Sequence, residues 1–171
     1  QSLAAMIWFL SLYSEPATAS KLENALLVTL DISDKPESES MGSERLHSFA
    51  SPLRIATAQP ISDVAANVWA KTISENKELS KSIGYLLGGI DHPATLDAYL
   101  HLENKGFFSI WHETSESLDP MSDGLRDENR IKSKKTRDRL WEIILQESDQ
   151  ATRRKSLGFW SKTITPLDIP K

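Results

Sequence analysis

The stretch that decides the fold runs from Leu79 to Trp111, LSKSIGYLLGGIDHPATLDAYLHLENKGFFSIW. In its first part Ser80 can cap a helix, because a serine hydroxyl accepts a hydrogen bond from a free amide at a helix start. The apolar residues that follow have helical spacing and predict a buried stripe: Ile83, Leu86 and Leu87. Gly88 and Gly89 then predict the end of this helix.

A second helix is predicted directly after the two glycines. Asp91 can cap it, and Pro93 fits the first turn because that position needs no amide hydrogen. Its predicted buried side consists of Leu96, Tyr99, Leu100 and Leu102. Gly106 predicts its end, and the aromatic and branched residues from Phe107 to Trp111 predict a strand.

An earlier helix completes a three-helix pattern. Ser62 or Asp63 can cap it, and its apolar side is Val64, Val68, Trp69, Thr72 and Ile73. Helix, turn, helix, glycine and strand over residues 62–113 resemble the winged helix-turn-helix superfamily. In that resemblance Thr95 opens the recognition helix. The expected fold class is mainly α with minor β, a winged-helix-like trihelical unit plus additional helices.

The sequence as a whole indicates a chain of three parts. Residues 1–50 are expected to be a helical amino-terminal part, with a possible degenerate winged-helix unit, that ends in a polar loop. Residues 51–125 are the winged-helix-like domain, and residues 126–171 are a basic helix and an extended tail. The basic helix is expected to start at Asp127 or Asn129 and to run to about Glu147.

Local patterns in the flanks give further expectations. The helix over residues 3–13 has a wide apolar side, with Met6 and Phe9 beside Ile7, which predicts burial. Residues 21–27 predict a second helix, capped by Thr18 or Ser20. Alternation over residues 28–32, and the apolar run at 53–57, predict two short strands. The apolar start has no preceding basic residues, which argues against a signal peptide, and it is too short for a bilayer span.

Charge is distributed unevenly along the chain. The net charge is −4 overall, yet residues 1–125 carry 8 Lys+Arg against 17 Asp+Glu, and residues 126–171 carry 12 against 7. Six of these cations fall within residues 130–139. Such a segment suits a polyanion, or equally an acidic face of the same molecule or of another subunit. The predicted recognition helix is itself acidic, since Asp91, Asp97 and Glu103 face only Lys105.

Motifs for catalysis are not found in the sequence. There is no cysteine, no Gly-x-Ser-x-Gly nucleophile motif and no phosphate-binding Gly-x-x-x-x-Gly-Lys-Ser/Thr loop. The four histidines do not have the i, i+4 spacing of a zinc motif. We therefore predict a protein that is not an enzyme, with no metal site and no cofactor.

Two functions remain open at this point. The first is nucleic-acid binding, with DNA favoured over RNA, in which a basic helix and a winged helix contact the phosphate backbone. The second is a protein-interaction or scaffold subunit in which the winged helix docks a partner. A cytoplasmic chain without membrane contact is expected, and a homodimer is left open. The predicted nucleic-acid-binding residues are Arg130, Lys132, Lys134, Lys135, Arg137, Arg139, His92, Thr95, His101 and Asn104.

Overall fold

The computed structural model describes residues 3–13, 15–33, 60–107, 133–150 and 153–154. These residues are mainly helical and contain no strand, so the expected mainly α class is confirmed for the described part of the chain. The helices are α1 (Leu3–Ser11), α2 (Pro16–Ser33), α3 (Asp63–Glu75), α4 (Lys77–Ile83), a 3-10 helix (Gly84–Gly89), α5 (Pro93–Asn104) and α6 (Lys134–Gln146).

Helix α2 is longer than predicted and begins at Pro16, so Thr18 and Ser20 lie inside the helix and the prediction that one of them caps it is wrong. The strand expected at residues 28–32 is also wrong, because α2 continues to Ser33. The buried positions of α2 continue at helical spacing from Leu26 to Thr29, and the Thr29 hydroxyl donates to the Leu26 carbonyl oxygen at 2.6 Å. An alternating pattern of only five residues is weak evidence for a strand. Here a longer run of buried residues with helical spacing passes through the same segment, so the helix continues.

Helix α3 is the centre of the molecule and contacts α1, α2, α4, α5 and the 3-10 helix. The predicted Ser62 cap is confirmed, because its hydroxyl oxygen accepts from the Ala65 amide at 3.1 Å. Small residues on α3 allow close packing, and Trp69 between them is 1% exposed. Full burial of a large apolar side chain stabilises a fold by about 1.5–3 kcal/mol.

The start of α3 is attached to the end of α1. The Ser62 amide donates to the Ser11 carbonyl oxygen at 2.9 Å, and the Ser62 hydroxyl donates to the Tyr13 carbonyl oxygen at 2.7 Å. Carbonyl groups at the end of a helix lack partners within that helix. The amino-terminal end of α3 therefore satisfies the carboxyl-terminal end of α1 and fixes α1 on the core.

Two further predicted helix caps are wrong. Helix α4 is capped by Asn76, whose side-chain oxygen accepts from the Glu78 and Leu79 amides at 3.1 Å each. Ser80 lies inside α4, fully buried, and donates to the Ile73 carbonyl oxygen at 2.6 Å. An asparagine four positions upstream competes with the serine for the cap, and the sequence offers both.

The second wrong cap concerns α5. His92 takes this position, and its Nδ1 atom accepts from the Ala94 amide at 3.1 Å. Asp91, the predicted cap, instead accepts the Ser133 amide at 2.7 Å. Pro93 in the first turn is confirmed.

Two glycines have structural roles, one before α5 and one directly after it. At Gly88 an added Cβ atom would come within 2.9 Å of the Tyr99 ring, so only glycine fits between the 3-10 helix and α5. Gly106 has a φ of 75° and closes α5 as predicted. Its amide donates to the Glu103 carbonyl oxygen at 2.9 Å, and the Phe107 amide donates to the Leu102 carbonyl oxygen at 3.2 Å.

One hydrophobic cluster joins residues from all the helices, and its members include Ile7, Leu26, Trp69, Leu79, Leu87, Leu102 and Leu140. Phe107, expected to open a strand, lies in a turn and packs against this cluster. The rest of that strand at 108–111, the strand at 53–57, and the predicted domain boundaries near residues 50 and 125 lie outside the described residues. The winged-helix interpretation therefore stays a prediction.

Candidate functional site

The basic helix α6 packs on α5, the predicted recognition helix. Its inner side is buried at Thr136, Leu140 and Ile144. The expected start at Asp127 or Asn129 is wrong for a continuous helix, because Ser133 has extended backbone angles and α6 begins at Lys134. The hydrogen bond from the Ser133 amide to Asp91 places a carboxylate at the start of α6, where the helix dipole favours negative charge.

An ion pair joins the outer edges of the same two helices. The Nε atom of Arg139 donates to both carboxylate oxygens of Asp97, at 3.0 and 3.2 Å. A second nitrogen of Arg139 reaches Glu142 at 3.3 Å. The hydrogen bond with Asp97 raises the pKa of Arg139 above its already high ordinary value, and burial opposes this in part. Arg139 is therefore charged at every ordinary pH, and its charge is directed to α5.

The other cations of α6 differ in their exposure. Lys134 pairs with Asp138 at 2.6 Å along the helix. Lys135 is exposed, and Arg137 is half-buried. Arg130 and Lys132 lie outside the described residues. Two of the four predicted cations on α6, Lys134 and Arg139, therefore have acidic partners.

The four predicted contact residues of α5 do not form one surface. Thr95 is fully buried, and its hydroxyl donates to the carbonyl oxygens of His92 and Ile90 at 2.9 and 3.1 Å. His92 is a helix cap, and its Nε2 atom lies 3.3 Å from Asp63. Only His101 and Asn104 in the last turn are exposed. Most of α5 is covered, since α3, the 3-10 helix and α6 pack around it.

A different surface stands out on α1. We define the α1 apolar face as Met6, Trp8, Phe9, Leu12 and Tyr13, whose exposed fractions range from 41% to 54%. The Phe9 and Tyr13 rings lie 4.9 Å apart between their centres. A hollow beside them is lined by Ala5, Met6, Trp8 and Phe9.

The predicted burial of α1 is correct for only one side of the helix. Ile7 is fully buried, while Met6 and Phe9 are exposed. The missed signal was present in the sequence: a short helix that is apolar all round, packed on one core, must leave its far side uncovered. Residues 1–14 contain no charged side chain. The uncovered side of α1 therefore lacks the charged residues by which a solvent-exposed helix face is usually identified.

Within the described ranges, no group of three or more His, Asp or Glu residues is placed to hold a metal ion. None of the helices described is both long enough and apolar enough to cross a bilayer.

Comparison with known proteins finds no matching family model, no similar curated protein and no similar solved structure. Function is therefore inferred from the geometry of this chain alone.

Proposed function

We propose that this chain is a non-enzymatic protein-interaction or scaffold subunit of a larger assembly, and that the α1 apolar face is its contact surface. The single observation that carries the proposal is the exposure of five large apolar side chains, three on α1 and two on the residues directly after its end. Three of them, Trp8, Phe9 and Tyr13, are aromatic, and aromatic residues and methionine are enriched at protein interfaces.

The size of the face supports the same proposal. From the exposed fractions and the usual area of such side chains, it presents roughly 500 Å² of apolar surface. A patch of this size lies near the upper end for a monomer and is commonly functional. Covering it in a complex would be favourable because the hydrophobic effect scales with apolar area removed from water.

Nucleic-acid binding is the second candidate. Lys135 on α6 and Arg153 and Arg154 beyond it are exposed, and exposed cations favour DNA phosphates. Against this stands the arrangement of Arg139 and Lys134, whose partners are Asp97 and Asp138. Contact with a phosphate backbone would have to break these pairs or use the few remaining cations.

The two functions can be separated by binding of labelled duplex DNA over a series of salt concentrations. The α6 variant reverses four cations to Glu at Lys132, Lys134, Lys135 and Arg137. A matched control reverses four exposed cations elsewhere, at Lys21, Lys71, Lys77 and Lys81. We expect native binding to be weak and to fall equally in both variants, because only overall charge changes.

A second arm follows the protein complex. The native chain purified gently from its source should come with a stoichiometric partner, which the α6 variant retains and a Trp8→Ser/Phe9→Ser variant loses. The opposite result would overturn the proposal: tight DNA binding whose salt dependence weakens by a slope of about four in the α6 variant alone, with no effect of the α1 changes.

A further inference from the structure

We propose that the α1 apolar face binds the same face of a second copy of this chain, related by a two-fold axis. This inference rests on the proposed function, since it names the partner of the surface proposed there. A two-fold interface uses one patch on both subunits, so the patch must be complementary to itself. Three properties of the face meet this condition.

The first property is shape. Ala5 is the smallest residue lining the hollow, and Trp8 and Phe9 stand one turn further along the helix on its two flanks. A helix that carries both a hollow and large rings can insert the rings of each copy beside the small residue of the other. Met6 and Phe9 have the i, i+3 spacing of helical contact residues. Tyr13 follows the end of α1, and its ring lies beside that of Phe9.

The second property is charge. Two copies of a chain with a net charge of −4 carry charge of the same sign and repel each other on average. The α1 segment is an exception, because residues 1–14 carry no charge and the nearest charged side chain in sequence is Glu15. Apposed α1 faces therefore bring together the part of the molecule where self-repulsion is least.

The third property is area. A stable interface buries about 800 Å² on each partner. The five side chains supply roughly 500 Å², which is enough for a reversible, concentration-dependent dimer with a polar rim. A membrane surface is a poorer fit, because helices that lie on membranes usually carry Lys or Arg on their polar side and α1 has none.

The test is sedimentation equilibrium of the full chain over a range of concentrations. The native chain is expected to be a monomer–dimer equilibrium. Phe9→Glu, which puts a charge in the middle of the face, should raise the dissociation constant at least about tenfold, while Phe9→Leu should keep the dimer. Gln146→Glu, at an exposed position on α6, makes the same charge change and should have no effect.

A cross-linking measurement guards against loss of folding in the Phe9→Glu variant. The chain has no cysteine, so Leu12→Cys introduces a single thiol on the face and Gln146→Cys a single thiol elsewhere. A short bis-maleimide should join two copies of the Leu12→Cys chain, and adding Phe9→Leu should preserve this product. The Gln146→Cys chain should give no cross-linked product, because position 146 lies outside the proposed interface.

The inference is overturned by a native chain that is monomeric at all concentrations, or by a dimer that persists in a folded Phe9→Glu variant. Equal cross-linking at positions 12 and 146 also overturns it. If the native chain is monomeric but binds a stoichiometric partner protein, and the Trp8→Ser/Phe9→Ser variant does not bind it, only the self-association is refuted. A monomer without any such partner refutes the proposed function as well.

Discussion

At the scale of single residues, Ser11 and Trp69 connect the first helix to the central one. The Trp69 indole donates to the Ser11 hydroxyl oxygen at 3.0 Å, and that hydroxyl donates to the Ile7 carbonyl oxygen at 2.7 Å. Both side chains are buried. When the acceptor of a buried donor is removed, the desolvation free energy of the donor is no longer offset by a hydrogen bond.

We therefore expect Ser11→Ala to lower the free energy of unfolding by about 1–3 kcal/mol, because it leaves the indole N–H unpaired. Urea unfolding measures this change. Ser74→Ala is the control, since Ser74 makes only a long, exposed hydrogen bond of 3.3 Å within α3 and its removal should cost under about 0.5 kcal/mol. Equal effects of the two changes would contradict the assigned role of Ser11.

At the scale of elements, the ion pair between Arg139 and Asp97 links α6 to α5. Its side chains are 38% and 43% exposed, so solvent screening limits its contribution to stability to about 0.5–1 kcal/mol. The raised pKa of Arg139 keeps its guanidinium charged into strongly alkaline solution, so the arginine side of the pair does not lose its charge under ordinary conditions.

A double-mutant cycle of Arg139→Gln and Asp97→Asn should give a coupling of that size, falling as salt is added. Lys135→Gln paired with Asp97→Asn is the matched control and should show no coupling. Hydrogen exchange should also be faster in α6 of the Arg139→Gln variant. A coupling that is absent at low salt would mean that Leu140 and Ile144 hold α6 without help from charge.

The spacing of apolar residues predicted the presence of the helices more accurately than it predicted where each helix begins and ends. The buried residues of α5 and the Ser62 cap follow from spacing and residue type alone. The cap of α4 does not, because Asn76 and Ser80 are both good capping residues and the choice depends on where Ile73 offers a carbonyl. The position of α6 on α5 depends on a contact between residues 42 apart, which no local pattern encodes.

At the scale of the whole molecule, an acidic body and a basic segment are brought together within one chain. Charge count alone could not decide between DNA contact and internal pairing for the cations of residues 130–139. The packing of α6 on α5 gives Arg139 an internal partner, and the packing of α1 on α3 leaves an uncharged apolar face outside. The internal partner of Arg139 is not visible without the tertiary contacts, whereas the uncovered side of α1 follows from a short helix that is apolar all round.

The most direct measurement of the central claim is hydroxyl-radical footprinting of the chain diluted to its monomeric state, of its purified complex, and of the chain with duplex DNA. We expect labelling of Met6, Trp8 and Phe9 to fall several-fold in the complex, while Leu145, which is 62% exposed on α6, is unchanged and DNA has little effect. Unchanged labelling of the α1 apolar face, together with protection of α6 by DNA, would contradict the claim that this chain functions by protein contact.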